Sequence, residues 1–141
     1  EDPASRKLAA EIDFITLHAH PLWNGQQLAD GLDWLSETTA RVAALHPDRP
    51  VVLGETGWAT SHLDAGEQGE LIRGRTGEAE QTTFHDQVRA WTEAEGAIVF
   101  WFEAFDESWK GGDHPDEVEK HWGLFHTDRT PKPALAGREG G

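Results

Sequence analysis

Three short apolar runs, Ile12-Asp13-Phe14-Ile15-Thr16-Leu17, Val51-Val52-Leu53-Gly54 and Ala97-Ile98-Val99-Phe100-Trp101-Phe102, each stop on side chains able to do chemistry. The first ends on His18-Ala19-His20-Pro21, the second on Glu55 and the third on Glu103. Two amphipathic stretches of helical period separate them, so the chain reads as strand, helix, strand, helix, strand. Strands that alternate with helices of this length lie parallel and are joined by right-handed crossovers. An open doubly wound sheet and a (β/α)8 barrel both answer that description. No glycine-rich phosphate fingerprint follows any strand, and all three carboxyl-terminal strand ends carry polar groups, which favours the barrel.

The individual elements follow from period and punctuation. Residues 4 to 11 are good helix formers and read as the end of a helix. A second helix is predicted from Asn24 to His46-Pro47, with Leu28, Leu32, Leu35, Val42 and Leu45 on one stripe. Val51 to Gly54, bounded by Arg49-Pro50 and Gly57, reads as a strand buried on both faces. Ala59 to Gly77 is a long glycine-containing loop of the kind that carries function or moves. Glu78 to Glu95 is a third helix with Phe84, Val88 and Trp91 on one face, closed by Gly96. Ala104 to Thr130 lacks helical period and is dense in Asp, Glu, His and Trp; a short helix is expected at Pro133 to Ala136.

At 141 residues the chain is the size of one domain, read here as a single unit over 1–141. Its net charge of −14 repels phosphate backbones and anionic lipid, so neither nucleic acid nor a membrane surface is an expected partner. No run approaches the roughly 20 apolar residues of a membrane span, and no secretory pattern opens the sequence. With no cysteine, the redox compartment is not encoded, and a start on Glu1 without methionine suggests a trimmed or excised segment.

Glycoside hydrolysis needs paired carboxylates, one to protonate the leaving oxygen and one on the other face of the sugar. Glu55, Glu103, Asp106, Glu107 and Glu119 are the candidates, and in so acidic a chain each has an alternative reading as solvated surface. A glutamate that closes a buried strand is costly unless it is used, which singles out Glu55. His18 and His20 share a strand face; two ligands do not make a metal site, and they read more readily as imidazoles hydrogen-bonded around a polar pocket than as metal ligands. No metal and no cofactor is assigned. Seven tryptophans offer flat surfaces for sugar rings. Trp34 and Trp91 fall on helices and read as packing, Trp101 as core or ligand-facing, and Trp58, Trp109 and Trp122 as a sugar-binding wall or as core. The serines lie in no G-x-S-x-G elbow, which sets aside the serine hydrolases.

Gly54-Glu55-Thr56-Gly57-Trp58, Phe102-Glu103-Ala104-Phe105-Asp106-Glu107-Ser108-Trp109-Lys110 and Glu119-Lys120-His121-Trp122-Gly123-Leu124-Phe125 together resemble the carboxyl-terminal part of glycoside hydrolase family 17, the β-1,3-glucanases and glucanosyltransferases. His18-Ala19-His20-Pro21-Leu22-Trp23 and Asp128-Arg129-Thr130-Pro131-Lys132-Pro133 match the flanking segments. The resemblance implies a partial (β/α)8 barrel, its sixth to eighth strands, and a retaining mechanism with Glu55 as nucleophile. It further implies that Glu107, Lys110 and Glu119 line the substrate cleft, and His20, Trp23, Trp58, Glu103, Trp109 and Trp122 complete the expected substrate-binding set. Ala59-Thr60 and Ser108 depart from the usual Pro-Ser and proline. The family's general acid, a glutamate after asparagine, has no counterpart in these 141 residues. The expected function is therefore part of a β-1,3-glucan hydrolase, incomplete alone, with glucanosyl transfer or non-catalytic glucan binding as alternatives. Expected partners are β-glucan and either the remainder of a barrel or a second copy of the chain. The substrate class points to an extracellular or periplasmic location.

Overall fold

The computed structural model describes residues 3–136. Helix α1 (Pro3–Ala10) leads into strand β1 (Ile15–His18), helix α2 (Leu28–Leu45), strand β2 (Val51–Thr56), the short helix α3 (Gly66–Leu71), helix α4 (Glu78–Glu95), strand β3 (Val99–Trp101) and a 3-10 turn at Val118–Lys120. The strands form one parallel sheet in the order β1-β2-β3, with Ile15 opposite Val51 and Leu53 opposite Val99. This is the strand–helix alternation read from the sequence.

Helices α2 and α4 pack on each other and on one face of the sheet. Leu35, Leu53, Phe84 and Val88 fill the space between, as their spacing predicts, joined by Trp58 and Trp122. Gly31 lets α2 approach: a Cβ there would lie 3.2 Å from both the Phe84 and the Trp58 rings. The left-handed Gly96 (φ 65°) closes α4, a conformation in which any Cβ is penalised. At the same amino-terminal end of the parallel strands, Arg49 donates to the carbonyls of Ala9 and Ala10, satisfying the last turn of α1.

Several boundaries differ from expectation. Helix α2 begins at Leu28 rather than Asn24 because Asn24 caps a turn through the His20 carbonyl (2.8 Å) and Gly25 has φ 70°. Strand β1 starts at Ile15, β2 runs on to Thr56, and β3 keeps only Val99–Trp101 of the apolar run. The loop after β2 contains α3, pinned where Gln68 accepts hydrogen bonds from the Leu63 and Val118 amides. Pro133 to Ala136 is one turn around the Lys132 carbonyl rather than a helix.

The sheet is not covered on both faces. Trp101 points to α4, stacking edge-on to His85 at 4.9 Å, whereas Thr16, His18 and Phe100 point to the other side and are exposed. Three strands cannot close a barrel, so among the described residues this face and the outer edges of β1 and β3 are open.

Candidate active site

Glu55 owes its direction to an irregularity in β2. Side chains along a strand alternate, yet Leu53 and Thr56, three apart, both point into the helix-packed core. The register confirms one inserted residue: Leu17 pairs with Leu53 but His18 with Glu55. This bulge turns Gly54 and Glu55 to the open face. Glycine is needed at the inserted position, since a Cβ on Gly54 would fall 2.1 Å from Thr16 Cγ2.

The carboxylate meets the two histidines at the end of β1. Glu55 Oε2 lies 3.2 Å from His20 Nε2 and 3.4 Å from His18 Nδ1. The main chain fixes that approach, with the Ala19 amide donating to the Glu55 carbonyl at 2.9 Å. His20 is boxed by aromatic rings, edge-on to Phe102 at 5.4 Å and to Trp122 at 5.2 Å. Burial lowers its pKa, outweighing the Glu55 hydrogen bond and the charges of Glu55 and Glu119. The ring is therefore neutral at pH 7. A carboxylate only accepts, so the proton sits on Nε2 and is donated to Glu55, while the buried Nδ1 is left without a protein partner. One carboxylate oxygen is held and the other stays available.

The Phe102 ring also borders a second charged group. Lys110 Nζ sits 4.9 Å from the Phe102 ring centre, donates to Glu103 Oε2 and lies 2.8 Å from Glu107 Oε2. Burial acts to lower the Lys110 pKa, but the two carboxylates override it and raise it. Burial raises Glu103 against the pull of Lys110; Lys110 holds the half-buried Glu107 below its usual range. The three groups together carry one net negative charge.

The sequence-predicted residues thus divide. Glu55, His20, Glu103, Glu107 and Lys110 converge on the Phe102 ring and its neighbours, and Glu119 stands in the 3-10 turn within electrostatic reach of His20. Trp58 does not belong to a sugar-binding wall: it is fully buried, packs 5.2 Å from Phe84 and donates Nε1 to the Arg75 carbonyl at 2.8 Å. Trp122 is equally buried and supports His20 from below rather than presenting a face. Of the three, Trp109 alone is open, at 74% exposure. Trp23 is half-buried against the core.

Sequence reasoning missed Phe102 as the ring that both charged groups touch, and Gly54 as the bulge. An isolated glycine one residue before a strand-end glutamate was the available signal for the latter. Asp106, weighed as a catalytic carboxylate or as solvated surface, is instead bound to the buried Lys132.

Residues 2–123 match the family model described as the BtgE/BtgC glycoside hydrolase domain. A glucan 1,3-beta-glucosidase from Candida albicans is 35% identical over 95% of this chain and 44% of its own length. One from Arthroderma benhamiae is 32% identical over 86% of this chain and 41% of its own. The crystal structure of a glycoside hydrolase family 17 beta-1,3-glucanosyltransferase from Rhizomucor miehei superposes with a TM-score of 0.76 at 26% identity, over 90% of this chain and 44% of that one. The chain thus spans about two fifths of the length of these two relatives, and its three parallel strands are consistent with part of a barrel.

Proposed function

The chain belongs to the BtgE/BtgC glycoside hydrolase domain family, and on that premise we propose that it carries the nucleophile side of a retaining β-1,3-glucan-processing site. The observation that carries the reading is Glu55, turned to the open face by a bulge, with one oxygen held by the Nε2–H of a neutral histidine. In this reading the free Glu55 oxygen attacks the anomeric carbon as the glycosidic C–O bond breaks, and the departing oxygen takes a proton from a general acid. Water, deprotonated by the same group, then releases the sugar and regenerates the carboxylate. A neutral His20 suits this role: an imidazolium would neutralise the carboxylate and blunt its attack.

The proton donor is assigned outside these residues. Glu103 and Glu107 are both engaged by Lys110, which suits them to hold sugar hydroxyls rather than to protonate a leaving group. Hydrolysis and glucanosyl transfer share the covalent intermediate and differ in whether water or a sugar accepts it. The names of the relatives include both outcomes. Burial of Trp58 and Trp122 removes two thirds of the wall on which a purely glucan-binding module would depend. A β-glucan substrate favours an extracellular or periplasmic location, and no helix among the described residues is long and apolar enough to cross a membrane.

The test is mechanism-based labelling with a fluorinated laminaribiosyl donor whose dinitrophenolate leaving group needs no acid. Peptide mass spectrometry should find the adduct on Glu55 and none in Glu55→Gln. Labelling of another carboxylate, or equal labelling of the variant, would overturn the assignment. Laminarin itself should remain uncut by the isolated chain, because loss of general acid catalysis costs about 10²- to 10⁴-fold before substrate positioning is counted.

A further inference from the structure

The most deeply buried cation among the described residues lies outside the Glu55 site. The Lys132 side chain is 1% exposed, and its ammonium lies 2.8 Å from Asp106 Oδ1 and 3.0 Å from Thr60 Oγ1. The same Asp106 oxygen accepts the Gly123 amide at 3.0 Å. Four segments therefore meet at one ion pair: the loop after β2, the loop after β3, the strand-like stretch at 122–125 and the turn at 132–136.

Burying such a pair costs desolvation that the attraction between the charges only partly returns, so packing alone would be served better by apolar residues. What the pair does supply is direction. Asp106 is tied on its main chain as well, its amide donating to the Phe125 carbonyl at 2.9 Å, and the Lys132 amide donates to the Leu124 carbonyl at 2.9 Å. The residue after Asp106 is Glu107, whose carbonyl accepts the Lys110 amide at 3.1 Å. The same terminal segment holds Arg129 with its guanidinium 3.8 Å above the Phe105 ring.

We propose that Lys132 is a positioning residue, whose ammonium locks Asp106 and thereby fixes the loop that presents Glu103, Glu107 and Lys110 to the substrate. The word substrate rests on the functional reading above; the geometric claim does not. Lys132 touches none of the reacting atoms. It acts by holding Glu107 and Lys110 in register with each other.

The groups that set the charge state of Glu107 are Lys110, Glu103 and Arg129. All three are carried by the two segments that Lys132 joins. Carbon-detected NMR titration of the Glu107 carboxyl in the 141-residue chain, with thermal melting alongside, separates positioning from stability. In Lys132→Met the Glu107 midpoint should move up toward the ordinary carboxylate range. Thr60→Val, which removes one neutral partner and leaves the ion pair, should give a smaller shift in the same direction with the fold intact, and serves if Lys132→Met does not fold. A lower melting temperature with the Glu107 midpoint unmoved in the folded variant would overturn the proposal. So would no effect of either substitution. No glucan enters the measurement, so its failure is distinct from a failure of the Glu55 labelling.

Discussion

Substituting Gly54 by alanine tests the bulge that aims the nucleophile. The added Cβ would lie 2.1 Å from Thr16 Cγ2 and 3.1 Å from the His18 ring, where carbon atoms prefer roughly 3.5–4.0 Å. Thr16 is β-branched and has few rotamers to retreat into, so backbone must move. Overpacking of this kind costs about 1–3 kcal/mol, offset by about 0.4–1 kcal/mol from the stiffer unfolded chain. The net loss of about 1–2 kcal/mol corresponds to a drop of about 3–8 °C in melting temperature for a domain of this size. Circular dichroism melts of the four members of a double-mutant cycle with Thr16→Ala supply the measurement. Removing the threonine methyl opens the space, so Gly54→Ala should cost about 1 kcal/mol less in that background. Equal cost in both backgrounds, or no cost in either, would refute the close approach of β1 and β2 and with it the account of how Glu55 reaches the open face.

Trp58→Ala should destabilise by about 3–5 kcal/mol in urea titration, whereas Trp109→Ala should stay within about 0.5 kcal/mol; similar losses would contradict their opposite burial. The His20 ring should titrate below the ordinary imidazole value by NMR, with nitrogen shifts reporting the proton on Nε2. Since the folded pKa is the lower one, the unfolded chain takes up the proton first. Stability is thus lost as pH falls from the ordinary histidine value toward the folded one, and is untouched above it. A midpoint at or above the ordinary value would mean that Glu55 outweighs burial.

Alternation of strands and helices was legible because period survives in local sequence: Leu28, Leu32 and Leu35 announce α2, and Phe84 and Val88 announce α4. The strand ends drew attention to Glu55, His20 and Glu103, which the structure brings to one aromatic cluster around Phe102 and Trp122. The bulge was not legible, since one inserted residue breaks the two-residue period without changing composition. Nor was the difference between Trp58 and Trp109, both of which follow an acidic strand end. What separates them is remote: Gly31 and Gly74 leave the space that Trp58 fills, a Cβ on Gly74 falling 2.9 Å from its ring. The two-sided burial read into the strands reflects their apolar content, but Ile98 and Phe100 are 57% and 61% exposed because nothing among the described residues lies opposite them. Lys132 gave no signal at all, since a lysine between prolines reads as surface until Asp106 is placed beside it.

The unequal burial of the tryptophans also divides the protein's light emission into separate reporters. With seven tryptophans and no tyrosine, all of the near-ultraviolet fluorescence comes from indole. Trp58 and Trp122, sealed from water, emit at the blue edge and lie beyond the reach of an aqueous quencher, whereas Trp109 emits at the red edge and is fully accessible to one. Trp122 also faces His20 at 5.2 Å, and an imidazolium draws electrons from an excited indole where a neutral ring does not. The blue edge therefore records the charge of the histidine beside Glu55, and the red edge records what settles on the loop above it.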